Sequence, residues 1–245
     1  MNATYTKYEL LRLIRNKRAF IFSLIFPLAL YLVIAGPNKG TIPNLAVRID
    51  FRTFYMVSMA GYGAMIAALS AGARIAVERS TGWNRQLRLT PLPVASYFRT
   101  KVTTSYAMAL VSIALLFAAG LLYGVRISPF SRWIEMTGLM IVGILPFVAM
   151  GVLVGHLLTS DSMDPAIGGG SAFFGFLGGV WYPLPDHGVL HIIGECIPSF
   201  WLTRASYIGI GAPSWELKGW LVIGAWSVAM AALAGWAYRR DTKRV

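Results

Sequence analysis

Six stretches of the chain run without a charged residue for about the thickness of a hydrocarbon core, and what separates most of them is short and basic. They are 19–38, 53–73, 102–125, 136–160, 165–185 and 219–238, each at or near the roughly 20 residues that an α-helix needs to cross a bilayer. The pattern predicts an all-α polytopic membrane protein of six transmembrane helices, built as one membrane domain over 1–245. Pro146 falls inside the fourth stretch and predicts a kink there. His156 lies near the end of the same stretch and is expected to make a helix–helix hydrogen bond. In the fifth stretch Gly168, Ala172, Gly175 and Gly179 recur at i, i+4, i+7 and i+11, a row of small residues against which another helix can pack closely.

Ahead of the first stretch, 1–18 holds five basic residues, and Thr6-Lys7-Tyr8-Glu9 fits a capping box. Leu10, Leu13 and Ile14 share one side, with Arg12 and Arg15 on another, so a short helix lying in the membrane interface is expected. Two other readings compete. One is the basic flank of a start-transfer segment; the other is a cleaved leader ending near Ile34-Ala35-Gly36, against which stand Pro27 and the long basic region.

Composition agrees with the pattern. Of 245 residues 56% are hydrophobic and only 13% charged, with mean hydropathy +0.60, too apolar for an ordinary soluble domain. The net charge of +12 is spread in small clusters at the edges of apolar runs and makes no single nucleic-acid-binding patch. With both termini inside, cytoplasmic segments hold fifteen Lys and Arg and external ones seven, which sets the orientation in the cytoplasmic membrane. Trp133, Trp181, Trp215 and Trp220 then fall near outer span ends.

Candidate chemistry is sparse. Cys196 is alone, which excludes an internal disulfide. No Gly-x-x-x-x-Gly-Lys-Ser/Thr, Gly-x-Ser-x-Gly or His-Glu-x-x-His occurs, so ATP hydrolysis by this chain is not expected. The nearly charge-free stretches argue against a proton- or sodium-coupled carrier. His187, His191 and Glu195 at i, i+4, i+8 could line one helix face and approach a zinc ligand set. Because Glu195 lies two turns away, capping and interfacial hydrogen bonds are the expected roles, with no metal.

The most polar run lies between the second and third stretches. Over 78–93 it reads Glu78-Arg79-Ser80-Thr81-Gly82-Trp83-Asn84-Arg85-Gln86-Leu87-Arg88-Leu89-Thr90-Pro91-Leu92-Pro93. Ser80 or Thr81 can cap a helix that ends before Thr90-Pro91. Trp83 and Leu87 would share one side of it, Arg85 and Arg88 the other. Spacing alone leaves two readings open, a basic loop lying on lipid phosphates or a surface for a protein partner.

This run resembles the intracellular loop of permease subunits of bacterial ABC exporters of the second type, the group that includes daunorubicin-resistance permeases. The resemblance implies that Glu78, Arg79, Gly82, Trp83, Arg85, Leu87, Arg88, Thr90 and Pro91 couple the permease to a separate ATPase subunit, where ATP and magnesium would bind. The segment 179–218 resembles the same family's outer region, in which short helices dip back before the last span. Pro183, Pro185 and Pro198 would then flank an outer gate. The implied assembly pairs this chain with a second copy or a homologue and exports a hydrophobic small molecule such as a drug. Lipid or lipid-linked glycan export is the alternative within the family, and a carrier or membrane enzyme without an ATPase partner the alternative outside it.

Overall fold

The computed structural model describes residues 6–11, 21–38, 40–41, 50–83, 86, 89–90, 93–185 and 187–243. Its elements are helices: α1 (Phe26–Ala35, preceded by a π-turn Ile21–Ile25), α2 (Phe51–Leu69), α3 (Ala71–Ser80), α4 (Val94–Leu122), α5 (Ser131–Gly143), α6 (Leu145–Leu157), α7 (Ser160–Leu177), α8 (Val189–Glu195), α9 (Pro198–Tyr207) and α10 (Leu217–Lys243). Residues 6–11 are also helical. No strand occurs among the described residues; Thr41 and Asp50 form one antiparallel bridge.

The hub is α2. Asp50 caps it, accepting from Thr53 N and Oγ1, both at 2.9 Å. From Met56 to Leu69 every residue is buried. Small residues make this tolerable: a Cβ on Gly63 would lie 2.4 Å from Ser112 Oγ of α4 and 3.2 Å from Pro27 of α1. Helices α1, α4, α6, α7 and α9 surround α2. By contrast α10 leans on α6 and turns Leu221, Val228 and Leu233 outward, as a helix facing lipid must.

Among the described residues four helical runs are long and apolar enough to cross a membrane: Phe51–Ser80, Val94–Leu122, Ser131–Leu157 and Leu217–Asp241. Ser23–Ala35 is apolar but shorter. Helix α7 begins five residues before the expected boundary and stops at Gly178, because Gly179 takes φ +75°. Asp161 and Asp164 therefore sit inside its first turns rather than in a connecting turn. The expected kink is a break at Ile144, between α5 and α6.

A backbone-to-backbone crossing lies where the small-residue row did not indicate one. Gly151 and Gly155 of α6 meet Gly72 of α3 backbone to backbone: a Cβ on Gly72 would lie 2.1 Å from Gly151 O, and one on Gly155 would lie 2.5 Å from Gly72 O. In the row itself Gly175 meets α2, its Cβ position being 3.0 Å from the Tyr62 ring and 2.8 Å from Trp181 Nε1, and Gly179 O accepts from Tyr207 of α9 at 2.8 Å. Gly168 and Ala172 are exposed.

At the far end α9 spans only ten residues yet is buried almost throughout, against α5 and α2. Three indole donors hold it and its flanks: Trp201 Nε1 to Glu195 O at 2.9 Å, Trp215 Nε1 to Trp201 O at 2.8 Å and Trp226 Nε1 to Cys196 O at 2.9 Å. Trp215 thus faces inward rather than into a lipid belt, because its N–H finds a buried carbonyl.

Candidate functional site

The run 78–93 emerges from the end of α3, and the last turn of α3 is where the bundle concentrates its buried charge. Lys101 has no exposed surface, and its Nζ donates at 2.5 Å to Oε1 of both Glu9 and Glu78. Its ammonium also lies 5.3 Å from the centre of the Tyr97 ring. Beside it Thr6 and Thr100 share a hydrogen bond of 3.2 Å, and Arg74 Nη2 donates to Thr104 Oγ1 at 3.4 Å. Lys101 is the cation that joins the two carboxylates, so the group hangs on it.

The next residue ties the opposite side. Arg79 Nη1 donates to the carbonyls of Gly155 (3.2 Å) and Leu158 (3.1 Å) at the end of α6, and its Nε lies 2.9 Å from Asp241 Oδ2 of α10. His156 Nδ1 reaches the same carboxylate oxygen at 3.3 Å, which is the expected helix–helix hydrogen bond. Glu78 and Arg79 together fasten the last turn of α3 to four other helical segments. We expect Asp241→Asn, which removes the charge but keeps the shape, to cost about 1.5–3 kcal/mol, the range for hydrogen bonds to charged groups. Faster trypsin cleavage at Arg239 and Arg240 in the purified protein would register it.

Several expectations change here. The windows drawn by charge placed Lys101 and Arg74 in loops; α3 and α4 instead run about two turns past them, because each charge finds a partner inside the bundle. The interior at this end is accordingly not free of charge. Glu9 pairs with Lys101 across the bundle. Ser80 and Thr81 do not start a new helix: their hydroxyls donate back to Val77 O, each at 2.9 Å, and end α3. Gly82 follows with φ +73°, open space around its Cβ position and a helical turn closed by Gln86 N on Gly82 O at 3.3 Å. Trp83 is 39% exposed and Leu89 88%; Thr90 is exposed too. Arg85, Leu87, Arg88 and Pro91 lie outside the described residues. Sequence reasoning passed over the signal that marks the group, the row Tyr97, Thr100, Lys101, Thr104, Ser105, Met108 at spacings of three and four, which α4 buries as one face.

At the far end Gly188 has φ +105° and α8 starts only at Val189, so His187 lies off the helix that carries His191 and Glu195. Those two are 3.5 Å apart, and Lys218 Nζ donates to Glu195 at 2.5 Å. That ammonium holds the Glu195 carboxyl below its ordinary range. Pro183 and Pro185 lie in the irregular segment before α8, and Pro198 occupies the first turn of α9.

The family model for ABC-2 family transporter protein matches residues 41–237. The chain belongs to the ABC-2 family. It is also 29% identical over 244 residues to the Bacillus subtilis (strain 168) protein named "Putative transport permease YvfS", covering 95% of each chain. An ABC-2 permease is the transport component of its system, is not itself catalytic, and works with an ATPase subunit. The segment that resembled an ABC exporter's intracellular loop and the buried charge group both fall within the matched residues, apart from Glu9 and Asp241.

Proposed function

We propose that this chain is the transmembrane subunit of an ATP-driven exporter that moves a hydrophobic small molecule out across the cytoplasmic membrane. Two copies, or one with a homologue, would pair with two ATPase subunits. The observation that carries the proposal is the fastening of the last turn of α3. A push on the run after Gly82 acts on Glu78 and Arg79, and through them on α4, α6, α10 and the N-terminal helix at once. In this reading the loop end is cytoplasmic, with both termini there, as the fifteen-to-seven distribution of Lys and Arg supports. The chain crosses six times, α1 and α7 completing the set, while α8 and α9 dip back from the outer face. Burial of α9 supports this, since backbone at membrane depth needs protein around it.

The test is co-purification with the ATPase from an adjacent reading frame, followed by ATP turnover with candidate drugs. Arg85→Ala with Arg88→Ala should release the ATPase without disturbing membrane insertion. Arg85→Lys with Arg88→Lys should also weaken it, because a forked contact to a protein groove needs guanidinium, whereas lipid phosphate accepts either cation. Wild-type co-purification and transport by both double variants would refute the coupling role. Turnover stimulated by lipid-linked glycans but not by drugs would favour the other substrate class. For orientation, Asn84→Cys in a Cys196→Ser background should react with impermeant maleimide only in opened cells.

A further inference from the structure

A groove of about 810 Å³ lies between the last turns of α4 and the first turns of α5, within the roughly 300–1,000 Å³ typical of ligand sites. Its wall is apolar, formed by Phe117, Phe130, Trp133, Ile134 and Gly138 among others, with one charged residue, Arg126. Residues 125–127 form an irregular link between α4 and α5. Val125 and Ile127 are 3% and 9% exposed, and Arg126 is exposed between these two anchored neighbours. The rim is fixed as well. Trp133 Nε1 donates to Ile127 O at 3.1 Å, and its ring meets Phe117 edge-on at 4.9 Å. Along α5 a Cβ on Gly138 would meet nothing within 4 Å, which leaves the floor open. Among the described residues Arg126 has no carboxylate or hydrogen-bond partner.

An apolar channel that runs along two spans and ends, where the helices end, in a lone guanidinium matches an amphiphile with a negative head. A second copy of the chain fits poorly: a two-fold contact through this groove would set Arg126 against its own counterpart in an apolar interface. We propose that the groove holds an anionic phospholipid, its acyl chain along Phe117, Ile134 and Gly138 and its phosphate on the Arg126 guanidinium. This goes beyond the transport reading and needs only that the chain be embedded in a membrane.

The full chain in phosphatidylcholine nanodiscs, doped with either brominated phosphatidylglycerol or brominated phosphatidylcholine, tests it. The Trp133 share of the fluorescence is obtained by difference from Trp133→Phe, and bromine on a bound acyl chain quenches it. Phosphatidylglycerol should associate about fivefold more strongly than phosphatidylcholine, the factor expected of one arginine at an anionic headgroup. Arg126→Gln should erase that preference, and Gly138→Leu, which fills the open floor, should exclude both lipids. Equal quenching by the two lipids in the wild type, or an unchanged preference in Arg126→Gln, would overturn the proposal. So would ready disulfide dimerisation of Gly138→Cys in the Cys196→Ser background, which would assign the groove to a second copy.

Discussion

Lys101→Met is expected to cost the protein its fold, and adding Glu9→Gln and Glu78→Gln is expected to restore most of the loss. Lys101 is fully buried and stands 2.5 Å from both carboxylates. Methionine keeps the length of the side chain but takes from Glu9 and Glu78, 4% and 1% exposed, the ammonium that both of them contact at 2.5 Å. Breaking a buried ionic group in this way typically costs about 3–5 kcal/mol, against the roughly 5–15 kcal/mol that holds a whole domain together. Removing all three charges is a different experiment, because neutral groups of similar volume carry no desolvation penalty and such replacements are often neutral. Glu9→Gln alone should be far milder, since it leaves a neutral Lys101–Glu78 pair. The size-exclusion profile and thermal midpoint of the four purified proteins decide the matter. A monodisperse Lys101→Met with an unshifted midpoint would show that this group holds nothing.

That a helix continues through Lys101 was hidden from the sequence for a physical reason. A run of uncharged residues marks where a helix can face hydrocarbon, but it cannot tell a charge in water from a charge buried against a partner ninety-two residues away. All six windows landed on helices; edges of the second and third erred where charges are paired, and the fifth where Gly179 ends a helix early. Arg74, Glu78, Arg79 and Lys101 all sit on helices extended beyond the windows. The break at Ile144 was legible because Pro146 removes a donor whatever surrounds it. The burial of α9 was not legible from periodicity, since a ten-residue helix that buries nearly every side chain shows no polar face. The resemblance of the outer region pointed to short helices there; contacts with α2 and α5 supply the rest.

Small-residue spacing misled for a related cause. Gly175-x-x-x-Gly179 and Gly151-x-x-x-Gly155 look alike in sequence, but a motif of this kind states only that a close approach is allowed. Which one is used depends on what lies opposite. In this chain Gly179 ends a helix at φ +75°, and Gly151 and Gly155 meet a third glycine. The same crossing sets the position of α3, so it sets where the run after Gly82 emerges.

Gly155→Leu should accordingly be among the most damaging single changes in this ABC-2 permease, and Gly168→Leu, the same substitution one helix away, should do no harm. A Cβ at 155 would lie 2.5 Å from Gly72 O and 2.9 Å from Gly72 Cα, and one at the neighbouring Gly151 would lie 2.8 Å from Leu69 O. Those neighbours are main chain, so no rotamer change relieves the clash and the two helices must part. Overpacking in an interior usually costs about 1–3 kcal/mol and more when the backbone has to move. Parting α6 from α3 also carries Gly155 O away from Arg79, 3.2 Å distant, and loosens the clamp on the last turn of α3. At Gly168 nothing lies within 4 Å of the Cβ position, so the added side chain projects into open space. Both variants gain the same helix propensity over glycine, roughly 1 kcal/mol, and the difference between them isolates packing. Thermal midpoints of the two purified variants, together with Gly155→Ala as an intermediate step, test the crossing. Equal midpoints for Gly155→Leu and Gly168→Leu would mean that α3 and α6 do not touch as described.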